Sequence, residues 1–281
     1  MSLEKPETSY TRQTKTPDAL IAKIKLLLDV NIGKIEVFGA EKLDKIPTDR
    51  KIIFASSHIS DYDMPITASA VAEKAKLVFT NMSSHHKFSE APADNINMRI
   101  AGKENYLPIK FKKDTEGGSR GEFDPKDYVA MEEALAEGSA LLIAAHNPTG
   151  EWRLPDNGGY AAVYAALRSG ALVVPVAVNI KSEKPIAMAS TPIKNLIKRP
   201  DAEVRIGEPI SLDGIERLGE FGEIIGKRRA GTSGLTQENI KTLSAVKNEL
   251  RARSAIVMRR LAEMLPPEKR GRWDETSPPK K

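Results

Sequence analysis

The chain contains no cysteine, which excludes disulfides, thiolate nucleophiles and cysteine-built zinc sites, and is compatible with a reducing compartment. Aromatic residues make up only 5% of it. With no RNP-type aromatic motif, no zinc-finger spacing and no helix-turn-helix signal, specific recognition of nucleic acid has nothing to stand on, and no such partner is expected. No run approaches the ~20 apolar residues that cross a bilayer, so at most the chain is expected to lie on a membrane. The opening MSLEKPETSYTRQTKTPDAL is polar and lacks the apolar stretch of a secretory signal; the expected location is the cytoplasm. His85 and His86 stand together without a carboxylate cluster, and no metal site is expected. Gly150 and Gly170 belong to no dinucleotide-binding fingerprint.

What is present describes an ordinary soluble protein. Hydrophobic residues at 40% and charged residues at 29% over 281 positions suit one sizeable core with appended helices. The 43 basic residues exceed the 38 acidic ones by 5, a mild excess that favours anionic lipid or phosphorylated small molecules. Residues 1–15 read as a flexible arm. Residues 16–34 read as an amphipathic helix capped by Thr16, with Leu20, Ile21, Ile24, Leu27 and Leu28 on one stripe and Lys23 and Lys25 off it. Residues 216–268 form a C-terminal helical region whose long helix starts at a Thr236 cap. That helix buries Leu243, Val246, Leu250, Val257, Leu261 and Met264 and carries Lys247, Arg251, Arg253, Arg259 and Arg260. Residues 269–281 read as a disordered tail. For both amphipathic helices, packing on the body competes with a role at a membrane surface.

Between residues 35 and 215 short apolar runs alternate with helical patterns. The runs are 35–38, 52–55, 77–79, 106–109, 141–145, 172–178 and 204–206. Continuous apolar strands separated by helices imply crossover connections, so the expected fold is α/β, a mainly parallel central sheet flanked by helices. In such sheets ligands bind beyond the carboxyl ends of the strands.

The segment KIIFASSHISDYDMP places His58 just past one such strand and Asp63 just before a helical run. Residues five apart on a continuous helix point away from each other, so the two can meet only across a turn. A carboxylate on one imidazole nitrogen would fix the tautomer and leave the other nitrogen to accept a proton from an alcohol, a general-base arrangement without a protein nucleophile. The plainer reading makes Asp63 a helix cap and His58 a polar strand end.

The stretch from Ile35 to Pro65, with H-ISDY-D preceded by a strand and by the element Val37 to Glu41, resembles the opening of the lysophosphatidate and glycerolphosphate acyltransferase family. The resemblance extends to about Ile180 and implies that His58 is a general base oriented by Asp63. The family's second block holds substrate phosphate with a basic residue, usually Arg; here YLPIKFKKD offers Lys110, Lys112 and Lys113, which bind as point charges without the bidentate fork. Its third block, Phe-Pro-Glu-Gly-Thr-Arg, meets HNPTGEWR. Ungapped counting puts His146 at the Glu position, whereas matching by composition slides Thr149, Gly150, Glu151 and Arg153 into those roles. A phosphate cradle and an ordinary Pro-Gly turn both fit this loop. The fourth block, a Val-Pro-Val strand, matches at VVPVAV, with Pro175 expected at a sheet edge or irregularity.

What the resemblance implies is acyl transfer from an acyl thioester, acyl-CoA or acyl-ACP, to the hydroxyl of a lysophospholipid or glycerol phosphate. No permanently bound cofactor is expected. The partners would be those two substrates, an acyl carrier protein where it is the donor, and the anionic inner face of a membrane. The altered third block also suits a lipid-binding protein that has lost the chemistry, and a histidine base also suits a thioester hydrolase.

Overall fold

The computed structural model of the chain describes residues 10–83, 105–110, 125–147, 151–182, 199–229 and 236–274. All seven expected runs are strands: β1 (Ile35–Phe38), β2 (Ile52–Ser56), β3 (Leu77–Ser83), β4 (Tyr106–Lys110), β5 (Ala140–Ala144), β6 (Leu172–Ile180) and β7 (Ala202–Ile206). They form one sheet in the order β1-β7-β6-β2-β5-β3-β4. Every pairing is parallel except β6 with β7. The fold is α/β.

β2 lies in the middle of the sheet and is buried along its whole length. Its side chains alternate between two cores. Ile53 and Ala55 face one that also holds α4 (Pro125–Ala136), α5 (Ala161–Ser169), α6 (Leu218–Arg229) and α7 (Gln237–Glu263). Ile52 and Phe54 face the other, with α1 (Asp18–Asn31), α2 (Glu41–Asp44) and α3 (Asp63–Val71). A strand covered on both faces needs apolar residues at every position, which is why IIFA carries no alternation in sequence. Its carboxyl end leads straight into the polar residues Ser57, His58 and Ser60.

Pro175 sits at an irregularity, as expected. Between the pair Val176↔Ile206 and the bridge Val173↔Ile210, β6 spends two residues where its partner spends three. The missing proline N–H therefore costs no ladder bond.

The ends of the chain depart from expectation. Residues 10–15, the described part of the expected arm, are tied down: Arg12 N–H donates to the Thr48 carbonyl and Gln13 N–H to that of Gly138. The buried Arg12 guanidinium donates to the carbonyls of Ile46, Pro47 and Arg50. Thr16 is no helix cap, because its hydroxyl donates to Ala75 O and accepts from Leu77 N–H, stitching the segment to β3. The α7 cap is as expected: Thr236 accepts from Asn239 N–H. Residues 269–274, the described part of the expected tail, are ordered. Pro267–Lys269 and Gly271–Trp273 are 3-10 turns, and Trp273 donates to Pro155 O.

Candidate active site

β2 ends at Ser56, and the six residues that lead from it into α3 form a turn in which nearly every polar group has a partner. Ser57 N–H donates to Val176 O on β6, and the Ser57 hydroxyl accepts from Val178 N–H. That hydroxyl donates to Asp63 Oδ2 at 3.2 Å. Ile59 N–H donates to the same oxygen at 2.8 Å, and Ser60 N–H also bonds the Asp63 carboxylate. Tyr62 N–H is taken by the Ser60 hydroxyl and Asp63 N–H by the Ser60 carbonyl. Buried main-chain donors demand such accounting. Asp63 answers it at the first position of α3, where an anion is also favoured by the helix N-terminus.

The expected bond between Asp63 and the His58 ring is not formed. All of the carboxylate's hydrogen bonds run to the turn, to the Ser57 hydroxyl and the main-chain N–H groups of Ile59 and Ser60. His58 Nδ1 lies 3.2 Å from the Ser60 carbonyl. A carbonyl can only accept, so Nδ1 carries the proton and Nε2 carries the lone pair. The Ser60 carbonyl thus takes the orienting role expected of Asp63. Nε2 has no partner among the described residues.

The neighbouring strand contributes a second histidine. His146, just past β5, is 2% exposed, and its Nε2 accepts the main-chain N–H of His58 at 3.0 Å. Its Nδ1 faces Asn147 O at 3.1 Å, so by the same logic it is the Nδ1-protonated tautomer. Both of its nitrogens are engaged. The carboxyl ends of β5, β2 and β6 therefore hold His146, His58 with Asp63, and Asn179 side by side.

Burial sets the charges. Desolvation lowers the His58 pKa against smaller upward pulls from the Ser60 carbonyl and the Asp61 carboxylate; the nearby charge acting on the ring belongs to Asp61, not Asp63. Desolvation carries His146 down to about 4, so that ring is neutral at neutral pH. Asp63, 1% exposed, is pushed up to about 7 by burial, opposed by its three donors and by the Lys269 cation.

Lys269 was not anticipated. It is 5% exposed, donates at 2.7 Å to both Asn179 Oδ1 and Ile180 O, and lies 4.4 Å over the Trp152 ring. Trp152 in turn donates to Ser182 O. Lysine is rarely buried unless something compensates for its lost hydration, and two carbonyl-type acceptors plus an indole face do so here. The signal available in sequence was the Trp-containing, Pro- and Gly-punctuated segment PPEKRGRW, too rich in docking chemistry for a loose tail. Replacing Lys269 by methionine is expected to raise the Asp63 titration midpoint above about 7, as followed by carboxyl resonances, because the nearby cation is lost.

The other expected site residues are dispersed. Glu151 and Arg153 pair with each other at the surface, at 2.6 Å, and Arg153 makes no bond to His58 or Asp63. Lys110 ends β4, three strands from β2. Lys112, Thr149 and Gly150 lie outside the described residues. No group of His, Asp and Glu able to hold a metal occurs among the described residues.

No protein-family model and no curated protein sequence matches this chain. Among solved structures it is similar to the 1-acyl-sn-glycerophosphate (LPA) acyltransferase PlsC from Thermotoga maritima, with 16% sequence identity and a TM-score of 0.47, over 78% of this chain and 81% of that one. Likeness of that degree leaves the chemistry here to be argued from the chain's own residues.

Proposed function

We propose that this protein transfers an acyl group from a thioester to the hydroxyl of a phosphorylated alcohol, with His58 as general base. The observation that carries the reading is the state of one ring: His58 Nδ1 is held by the Ser60 carbonyl while Nε2 is unengaged by any described residue, at the mouth of the central strand. His146 cannot take that part, since both of its nitrogens are engaged. The resemblance of HISDYD and its flanking strand to the glycerolipid acyltransferases supports the same assignment.

The steps balance as follows. His58 Nε2 takes the proton as the acceptor's O–H bond breaks, the oxygen bonds to the thioester carbon, and the C–S bond breaks. The proton then passes from His58 to the departing sulfur, giving a free thiol and an ester. A ring kept neutral by burial is ready for the first step at neutral pH, and its Nδ1–H, held by Ser60, stabilises the imidazolium that forms. Asp63 acts one step back, closing the turn that carries His58.

The acceptor class we favour is a glycerol phosphate or lysophospholipid and the donor acyl-CoA or an acyl carrier protein, at the anionic inner face of a membrane. No helix among the described residues is long and apolar enough to cross one. Leu26 and Val30, 69% and 43% exposed, stand one turn apart on α1 near the exposed Lys23 and Lys25, a surface suited to lying on anionic lipid.

The test is thiol release from acyl-CoA and acyl carrier protein donors, with and without glycerol 3-phosphate or lysophosphatidate. Release that requires the acceptor and matches ester formed one to one is the expected result. Release indifferent to acceptor would make the protein a hydrolase. No release with any donor, alongside binding to anionic vesicles, would make it a lipid-binding protein.

A further inference from the structure

We propose that His146 is a positioning residue: its ring supplies the acceptor that fixes the main chain of His58 and does not bind substrate. The basis is a gap in strand pairing. Along β2 successive residues turn their main-chain groups to alternate neighbours. Ser56 O accepts from Ala145 N–H on the β5 side, and Ser57 N–H donates to Val176 O on the β6 side. His58 N–H therefore faces β5 again. β5 ends at Ala144, and no carbonyl from it receives that N–H. The Nε2 of His146 does, at 3.0 Å.

A side chain thus continues the ladder by one residue, at the residue whose ring carries the chemistry. The bond requires a lone pair on Nε2. That is guaranteed by the Asn147 carbonyl, which holds the ring proton on Nδ1 at 3.1 Å, and by the burial of the ring at 2% exposure. The surroundings are equally fixed, since Ala145 O is itself taken by Gly159 N–H at 2.7 Å. Fixing the His58 main chain fixes the ring's origin, while Ser60 fixes its rotation. Catalytic geometry needs both.

The consequence for turnover rests on the assignment of His58 as base; the consequence for the main chain does not, and the experiment reads both. In His146→Leu, which keeps the volume but has no acceptor, kcat is expected to fall by about 10- to 100-fold with KM within about twofold, the mark of lost positioning. His146→Gln places an amide oxygen at the reach of Nε2 and is expected to restore kcat to within about threefold. Hydrogen exchange at the residue 58 amide should accelerate in His146→Leu and slow again in His146→Gln, whether or not the protein turns over any substrate tried. If the leucine variant does not fold, His146→Asn, whose amide stops one bond short, takes its place. A raised KM with unchanged kcat would make His146 a substrate contact and overturn the proposal. A glutamine variant as slow as the leucine one would assign the ring to proton transfer and overturn it too, as would undiminished protection of the residue 58 amide in His146→Leu.

Discussion

Replacing His58 by alanine is expected to lower turnover by ~10² to 10⁴, the usual worth of a positioned base, with little change in thermal stability. The fold should tolerate the loss because the two bonds that hold this residue in place belong to different parts of it. The bond to His146 comes from the main-chain N–H and survives the substitution. The bond the side chain makes, to Ser60 O, leaves an acceptor that still receives Asp63 N–H. No buried group is orphaned. The pH profile should separate this base from its neighbours. A base must be neutral to accept a proton, and burial lowers the His58 pKa from its usual 6.5. kcat/KM is therefore expected to rise with pH through a midpoint below 6.5 and to be flat at neutral pH. A midpoint near 7 would match Asp63 instead and would mean that ionisation of the turn, not of the ring, limits the reaction. Full activity in His58→Ala would remove the base assignment outright.

The strands were legible because burial on both faces leaves a signature in composition alone. IIFA, LLIA and LVVPVAV have no polar position, and each became a central strand. His58 and Asp63 were legible as a pair belonging to one corner, since a turn between strand and helix is the only way to bring residues five apart together. Which atoms would touch was not legible. The sequence lists three serines, a histidine and two aspartates within the eight residues from Ser56 to Asp63, and which carboxylate meets which donor depends on where the main-chain N–H groups point. The structure gives Asp63 to the Ser57 hydroxyl and two main-chain N–H groups, and Ser60 O to the ring. His146 was singled out only as one of two ways to place a divergent block, because its partner is a main-chain donor 88 residues away. Lys269 escaped entirely. Its acceptors, Asn179 and Ile180, lie on β6, and nothing local to PPEKRGRW points there.

Because Asp63 serves the turn, its removal should be felt first in stability. Asp63→Ala leaves Ile59 N–H, Ser60 N–H and the Ser57 hydroxyl without their shared acceptor in a place where water does not reach. Buried donors left unpaired cost about 1 to 3 kcal/mol each, so a loss of about 3 kcal/mol or more is expected. For a chain of this size that lowers the melting temperature by roughly 6 to 12 °C. Asp63→Asn keeps an acceptor oxygen and mimics the protonated acid, so it should melt closer to wild type, with a difference that depends on pH. The sign follows from the raised pKa. In the folded state Asp63 binds its proton up to about 7, against an ordinary value of 3.8. Its contribution to stability is therefore fullest below pH 3.8 and is lost as pH rises through 7. Relative to wild type, Asp63→Asn should accordingly gain stability as pH is raised from 4 to 8. Measured melting curves of both variants across that range decide between two roles for the carboxylate. If Asp63→Ala melts within about 2 °C of wild type and only turnover falls, the acid acts on the His58 ring during the reaction. If stability falls as expected and turnover of the folded fraction declines with it, Asp63 is the clasp of the turn, and the ring depends on it through the main chain.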